Sequence, residues 1–282
     1  MDDRTRNQLR TRLHSDRFPR SSRYDAEWVL ANEMGPNALW LTEALCGQMA
    51  LDPGMRVLDL GCGRAISSIF LAREYGLRVW ANDLWIDADD NWRRIRDAGL
   101  EHAICPIRAE AHQLPYAAEF FDAIVSIDSY QYYGTDDLYL GYLTRFLRTG
   151  GQLGVVVPGL ITELEGEPPA HLTERQASGA VFWDPSECWC LHTVDWWRRH
   201  FERSGLVDVV HAEALADGCQ LWLQWERARD GGGYTGFPSD AEALEKDGGR
   251  HLGFDILVAR KRARDAGPHP HPLLVRLGER RP

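Results

Sequence analysis

The chain has 282 residues, 44% of them hydrophobic, and a formal net charge of −10 with a pI of about 5.5. This length allows one large α/β domain or one domain with a cap, and the acidic balance disfavours a nucleic-acid partner, which usually needs a basic face. No apolar run approaches the ~20 residues of a membrane span, and the first segment is too polar for a signal peptide. The six cysteines are scattered, which suits a reducing compartment. Together these features predict a cytoplasmic protein without a membrane partner.

Helical and strand patterns alternate along the chain in the order typical of a doubly wound α/β sheet. Strands are predicted at 56–60, 78–83, 103–108, 120–127, 153–157, 206–211 and 252–259. Helices are predicted at 37–50, 64–75, 88–98, 136–147 and 193–203. This order predicts a mostly parallel, seven-stranded sheet.

Two stretches are longer than simple connections require, residues 159–192 and residues 214–250. Long loops in compact domains are often functional or mobile. We therefore expect them to form a lid and substrate pocket, together with an N-terminal helical segment of residues 1–50, on a main domain of residues 51–262. The tail, residues 263–282, contains Pro-His-Pro-His-Pro and is expected to be flexible rather than metal-binding.

Residues 56–65, Arg-Val-Leu-Asp-Leu-Gly-Cys-Gly-Arg-Ala, are the most informative stretch. An apolar strand carrying Asp59 breaks at Gly61 and Gly63 and leads into a helical pattern, an arrangement that lets backbone approach a ligand closely. A dinucleotide-binding turn would have a third glycine, whereas position 65 is Ala65, and Asp59 would repel a phosphate. Unless the glycines merely form a tight turn, this site is suited to a ligand with a cationic end.

The second strand ends at Asp83, twenty residues after Gly63, and an acid at that point can accept both hydroxyls of a ribose. With Asp59-Leu-Gly-Cys-Gly63 before it, the chain resembles the class I S-adenosylmethionine-dependent methyltransferases over roughly residues 55–160, and more weakly to about residue 260. The resemblance implies a Rossmann-like fold with S-adenosylmethionine as cofactor.

The resemblance also implies roles for the residues around the glycine turn. Gly61 and Gly63 would lie under the methionine part of the cofactor, and Asp59 would lie near its ammonium, directly or through water. Asp83 would hold the ribose hydroxyls and Leu84 would pack on the adenine. The alternative for Asp83 is a surface acid at a strand end.

Two further segments complete the cofactor site implied by the resemblance. Glu110 and Ala111 follow the third strand, where family members commonly have an acid-Ala pair whose acid accepts from the adenine amino group and whose next N–H reaches a ring nitrogen. Glu replaces the more usual Asp here, and the alternative is a solvated loop acid. Ser126, at the end of the fourth strand, is expected near the transferring methyl group.

Asp128 is the candidate catalytic residue because it follows the fourth strand, whose carboxyl end should face the reacting groups. Methyl transfer requires alignment of the nucleophile and control of its proton, and a carboxylate could take a proton from a hydroxyl or orient an amine. The position resembles the Asp in Ser-Arg-Asp sequences of phosphoethanolamine methyltransferases, although its neighbours differ. A helix cap or structural acid is the alternative, and His112 and His192 are rival bases.

Aromatic residues follow the fourth strand and the first long stretch, and such rings cage amines or stack on flat substrates. Tyr130, Tyr133 and His192 are the candidate substrate contacts. The helical spacing of Trp222 and Trp225 favours packing instead. No metal site is predicted, because the one-residue spacing in Cys188-Trp-Cys190 is not that of structural zinc.

These observations predict an enzyme that transfers a methyl group from S-adenosylmethionine to a small-molecule acceptor, at oxygen or nitrogen. Two alternatives stay open at this point: methylation of a cationic or lipid-like acceptor at nitrogen or carbon, and a cofactor-binding regulatory module without catalysis. The oligomeric state is also open.

Overall fold

The computed structural model describes residues 2–164, 166–233 and 238–263, so the predicted flexible tail lies almost wholly outside the described residues. Within them, the strands are β1 (Arg56–Leu60), β2 (Arg78–Asp83), β3 (Ile104–Arg108), β4 (Phe121–Ile127), β5 (Leu147–Leu160), β6 (Val207–Ala214) and β7 (Leu252–Lys261). They form one sheet in the order β3-β2-β1-β4-β5-β7-β6. Strands β1 to β5 pair in parallel, and β7 pairs antiparallel with β5 and β6. This confirms the predicted fold class.

The helices are α1 (Asp3–Leu13), α2 (Ala26–Ala31), α3 (Ala38–Cys46), α4 (Ile66–Tyr75), α5 (Ala88–Asp97), α6 (Tyr139–Leu143), α7 (Ala170–Thr173), α8 (Pro185–Cys188), α9 (Val194–Arg203), α10 (Gly218–Gly231) and α11 (Ala241–Asp247). Several begin at side chains that accept from free N–H groups, as N-caps do. Asn37 accepts from Leu39 and Trp40 at the start of α3, and Thr193 accepts from Trp196 at the start of α9.

The central strands are buried on both faces, which is why they read as apolar runs rather than as an alternation. Successive residues of β1 point to opposite faces: Val57 belongs to a core cluster that includes Leu45 and Ile69, and Leu58 belongs to one that includes Trp197. Helices therefore cover both sides of the sheet, and the carboxyl ends of the parallel strands meet at one edge.

The N-terminal segment packs onto helices that follow it much later in the chain. A third core cluster joins Leu9 and Leu13 of α1 to Phe70 of α4 and Trp225 of α10. The indole N–H of Trp225 donates to the carbonyl of Gly35 at 2.7 Å. Helix α10 thereby holds residues 33–35 over the carboxyl edge of the sheet.

The prediction of a helix at 136–147 is wrong in extent, because α6 ends at Leu143 and β5 already begins at Leu147. Gly150 and Gly151 lie inside β5, where the register against β4 shifts. Gly150 has φ +75, so the glycine pair forms a strand irregularity rather than a helix end.

The second long stretch is also more regular than expected, since 214–250 contains α10 and α11. Trp222 and Trp225 are buried on α10 at 9% and 1% exposure, which confirms the packing interpretation of their spacing.

Candidate functional site

The turn after β1 is shaped by three left-handed residues, Gly61 (φ +76), Gly63 (φ +52) and Ala65 (φ +59). The N–H groups of Gly61 and Cys62 donate to the carbonyl of Asn82 at 2.8 and 3.0 Å. A Cβ on Gly61 would overlap the Ser129 side chain. The turn therefore needs glycine both for its backbone and for the close approach of the β4 edge.

Asp83 fastens this turn to the end of β2. Its Oδ2 accepts from the N–H of Gly63 at 2.8 Å, and its Oδ1 accepts from the N–H groups of Trp85 and Ile86 at 2.8 and 3.0 Å. The residue is 8% exposed, so the alternative of a solvated surface acid is wrong. A carboxylate has about four lone-pair sites, so these three bonds leave capacity for one further donor.

Asp59 lies fully buried beneath the same turn. Its Oδ2 accepts from the hydroxyls of Ser67 and Ser68, each at 2.6 Å, and its Oδ1 has no hydrogen-bond partner among the described residues. Burial raises the pKa of Asp59 to about 6, and the charge of Asp83 also raises it, whereas the hydrogen bonds from the two serine hydroxyls lower it. A buried carboxylate oxygen without a donor fits a ligand with a cationic end.

The expected adenine side is formed by the loops after β2 and β3. Leu84 is 47% exposed and the neighbouring Trp85 is 72% exposed. Trp85 therefore offers an exposed aromatic ring beside Leu84, and the sequence analysis did not select this residue. The N–H of His112 donates to Glu110 Oε2 at 2.9 Å, and His112 Nδ1 lies 2.7 Å from Glu110 Oε1. His112, one of the two rival bases, is thus hydrogen-bonded to Glu110, and Ala111 lies between the two residues in sequence.

Ser126 and Tyr133 meet above the glycine turn. The Ser126 hydroxyl donates to the carbonyl of Leu60 at 2.8 Å and lies 3.1 Å from the Tyr133 hydroxyl. The Tyr133 hydroxyl is also 3.1 Å from Ser129 Oγ. The structure therefore brings both predicted residues to the end of β1.

Tyr130 does not lie where a substrate contact would be. It is fully buried in the core, with its ring 5.8 Å from that of Trp197 and 5.7 Å from that of Phe201, because the short 3-10 turn Tyr130–Tyr132 directs it inward. Tyr132, by contrast, is 54% exposed.

Asp128 follows β4 in a left-handed conformation, φ +51, and its N–H donates to the carbonyl of Val156 at 2.8 Å. Its Oδ1 accepts from Gln131 Nε2 at 3.1 Å, and its Oδ2 lies so close to Gly35 that a Cβ there would overlap it. Burial raises the pKa of Asp128 to about 7, with a further contribution from Glu33. A half-buried acid whose pKa is raised towards neutrality is suited to proton transfer.

Two buried acids, Glu33 and Glu226, contact the same Arg229, and neither is evident from local sequence. Glu33 is 3% exposed and accepts from the N–H of Gly35 at 3.2 Å. Arg229 Nε lies 3.5 Å from Glu33 Oε1, and Arg229 Nη1 donates to Glu226 Oε2 at 2.6 Å. Burial raises the pKa of Glu226 to about 7 against the charge of Arg229.

His192 lies at the end of β5, where its carbonyl accepts from the N–H of Leu160 at 2.9 Å. Its ring stacks on Trp196 at 3.7 Å, and its Nδ1 is 3.8 Å from Glu163 Oε2. Burial lowers its pKa against the charge of Glu163. Nearby on β7, Asp255 is 1% exposed with an Oδ2 that has no hydrogen-bond partner within the described part of the chain.

The described residues contain one group with metal-ligand character, formed by His171, Asp247 and His251 rather than by the cysteines around residue 189. Asp247 Oδ1 lies 3.0 Å from His171 Nε2 and 2.8 Å from His251 Nδ1. Its Oδ2 accepts from three backbone N–H groups of the following turn. The carboxylate is therefore already satisfied by hydrogen bonds that join α7 to α11.

In the parts of the chain that the structure describes, no helix has the length and apolar character needed to cross a membrane. Residues 57–151 match the model of a family described as methyltransferase domain.

Two curated relatives are similar to the chain over part of their length. Methyltransferase GfsG of Streptomyces halstedii is 33% identical over 132 residues, which cover 44% of this chain and 46% of that protein. Glycine/sarcosine/dimethylglycine N-methyltransferase of Actinopolyspora halophila is 31% identical over 208 residues, 64% of this chain and 36% of that protein. The chain thus spans less than half the length of either relative.

Among solved structures, the [4+2]-cyclase SpnF superposes with a TM-score of 0.61 at 19% identity, covering 83% of this chain and 84% of that one. At this identity the superposition speaks for the fold alone.

Proposed function

Because this chain belongs to the class I S-adenosylmethionine-dependent methyltransferase family, we propose that it transfers a methyl group from S-adenosylmethionine to a small-molecule acceptor, at oxygen or nitrogen. One observation carries the proposal: the glycine turn, the Asp83 carboxylate that fastens it and the titratable Asp128 lie at the carboxyl ends of the neighbouring strands β1, β2 and β4. Ligands bind at this edge in open α/β sheets.

The residues at this edge divide the binding of the cofactor among them. Asp59 offers negative charge to the ammonium end, and the bare backbone of Gly61 and Gly63 lets the methionine part lie close. Asp83 accepts from the ribose hydroxyls, and Leu84 covers one face of the adenine. Glu110 and Ala111 contact the edge of the adenine, and Ser126 and Tyr133 border the methyl group.

When bound, S-adenosylmethionine supplies a methyl group on a positively charged sulfur. The acceptor oxygen or nitrogen forms the new bond to this carbon as the carbon–sulfur bond breaks, and the proton of the acceptor goes to a carboxylate oxygen of Asp128. A pKa of about 7 for Asp128 suits a group that takes and releases a proton near neutral pH. Residues 33–35 lie over Asp128 and limit the access of water.

The test is to incubate the protein with labelled S-adenosylmethionine and metabolite extracts and to identify the labelled product, with binding of S-adenosylhomocysteine measured by calorimetry. Binding and a labelled small molecule support the proposal. Binding without any labelled product would favour the regulatory module, and binding of NAD instead of S-adenosylhomocysteine would remove the cofactor assignment.

A further inference from the structure

We propose that His171, Asp247 and His251 form a binding site for one divalent transition-metal ion of the zinc type, which clamps α7 to α11. His171 belongs to α7, Asp247 ends α11 and His251 directly precedes β7. None of the three takes part in the proposed contacts with cofactor or acceptor. The inference therefore goes beyond the proposed function and does not rest on it.

The first observation is that two imidazole rings converge on one carboxylate oxygen. His171 Nε2 and His251 Nδ1 both face Asp247 Oδ1, at 3.0 and 2.8 Å, and the three atoms lie within 4.8 Å of one another. Zinc–ligand bonds of about 2.0–2.2 Å place the ligand atoms of a tetrahedral site roughly 3.3–3.5 Å apart. Small rotations of the two rings would therefore let one ion contact all three atoms.

The second observation is that the carboxylate is held in place from its other side. Asp247 Oδ2 accepts from the N–H groups of Gly249, His251 and Leu252, each at 3.1 Å. These bonds leave Oδ1 to face the two rings. Metal-binding carboxylates are commonly fixed by such outer hydrogen bonds. Without an ion, the contacts at Oδ1 are hydrogen bonds from the rings; with an ion, each ring nitrogen supplies a lone pair to the metal instead.

The third observation concerns charge. The Asp247 side chain is fully buried, and its ion-pair partners in the described part of the chain are the two histidines, which are charged only if protonated. A buried charge is costly unless it is paired or coordinates a metal. A bound dication would supply positive charge to Asp247 even where both rings are neutral.

The donor set selects the class of ion. Mg²⁺ and Ca²⁺ bind mainly oxygen ligands, whereas imidazole nitrogens combined with a carboxylate are typical of Zn²⁺ and similar transition metals. The His171 and His251 side chains are 16% and 27% exposed, so water can reach the ion and complete its coordination. The ion would join helices from the two long stretches of the chain, which is the role of a clamp.

The experiment removes metal from the protein with a chelator and titrates it with ZnCl₂ by calorimetry, without cofactor. We expect one tight site per chain, with MgCl₂ binding at least a hundredfold more weakly. His171→Ala and His251→Ala should each weaken Zn²⁺ binding at least tenfold, because removing even an outer partner of a metal ligand costs about 10–100-fold. The urea midpoint of each metal-free variant shows that it is folded. If His251→Ala unfolds, His171→Ala on the short helix α7 carries the test.

Two controls separate this site from other histidines of the chain. His102→Ala changes an exposed histidine outside the site and should leave the Zn²⁺ affinity unchanged. The double variant His269→Ala/His271→Ala removes both histidines of the Pro-His-Pro-His-Pro sequence, and the tight site should remain in it.

Hydrogen exchange gives an independent readout of the clamp. Zn²⁺ should slow exchange in residues 170–173 and 241–251 of the unaltered protein but not of His171→Ala. Unchanged Zn²⁺ affinity in both alanine variants of the site, loss of the tight site in the tail variant, or Mg²⁺ binding as tight as Zn²⁺ would overturn the proposal. Tight binding without slower exchange would overturn the clamp. Methyl transfer enters none of these measurements, so their failure leaves the proposed function standing.

Discussion

Replacing Asp83 with Asn is expected to weaken both the cofactor site and the fold around the glycine turn. The carboxylate accepts from three backbone N–H groups, those of Gly63, Trp85 and Ile86. An Asn side chain can keep its oxygen towards Trp85 and Ile86, but its NH₂ group then faces the Gly63 N–H, and two donors meet. One charge-assisted hydrogen bond is lost and one buried N–H is left without a partner.

A hydrogen bond to a charged group contributes roughly 1.5–3 kcal/mol. We therefore expect Asp83→Asn to lower the free energy of unfolding by about that amount, measured by urea denaturation. We expect it to weaken S-adenosylhomocysteine binding by about tenfold to 150-fold, measured by calorimetry. Asp87→Asn is the control, because Asp87 is exposed and pairs with Arg108, and exposed pairs contribute at most about 1 kcal/mol.

A cofactor analogue separates the two roles of Asp83. If the carboxylate also holds the ribose, the 2′-deoxy form of S-adenosylhomocysteine should bind the unaltered protein more weakly than the parent, and this difference should shrink in Asp83→Asn. An equal loss for both ligands would mean that Asp83 only organises the turn. Unchanged affinity and unchanged unfolding in the variant would refute the reasoning altogether.

Three further outcomes are expected. Asp128→Asn should lower turnover at least tenfold with cofactor affinity nearly unchanged, and normal turnover in a labelled-methyl assay would move the role of base to another group. Gly61→Ala should reduce the free energy of unfolding more than Gly54→Ala does. Both positions have positive φ, but a Cβ added at Gly61 overlaps Ser129, whereas a Cβ added at Gly54 meets nothing within 4 Å. Equal losses in the two variants would contradict the close approach of Ser129 to Gly61. The buried Asp255 has a pKa of about 8 against 3.8 ordinarily, so the folded state keeps a proton that the unfolded chain releases between these values. Stability should therefore fall as the pH rises, by about 1.4 kcal/mol per pH unit, and urea titrations from pH 5 to 7 should show a shallower fall in Asp255→Asn.

The fold was predictable because its evidence is local. A buried parallel strand reads as an apolar run, and the turn after β1 is marked by its glycines, so each predicted strand overlaps an observed one. The errors arose where spacing favoured the wrong element. The apolar residues after Asp136 continue a helical pattern, but β5 begins at Leu147 because its pairing with β4 tolerates an irregularity at the glycine pair.

The site was only partly predictable, for a related physical reason. Gly61 and Gly63 follow β1 and Asp83 ends β2, so their position at the carboxyl edge follows from the strand pattern. Glu33 and Gln131 have no such signal, because their importance comes from burial and from contacts across the fold. Tyr130 shows the converse limit: position after a strand predicts the edge of the sheet but not the direction of a side chain.

The N-terminal segment links the two halves of the site. Met34 Sδ would lie 3.2 Å from a Cβ on Gly63, and Arg64 Nη1 donates to the carbonyl of Ala31 at 3.1 Å, so the segment rests on the glycine turn. The next residue along, Gly35, lies against Asp128. Under the proposed function, cofactor binding at the turn and acceptor binding beside Asp128 both involve this one segment. Thermodynamic linkage then requires that any effect of one ligand on the affinity for the other be reciprocal and of the same factor.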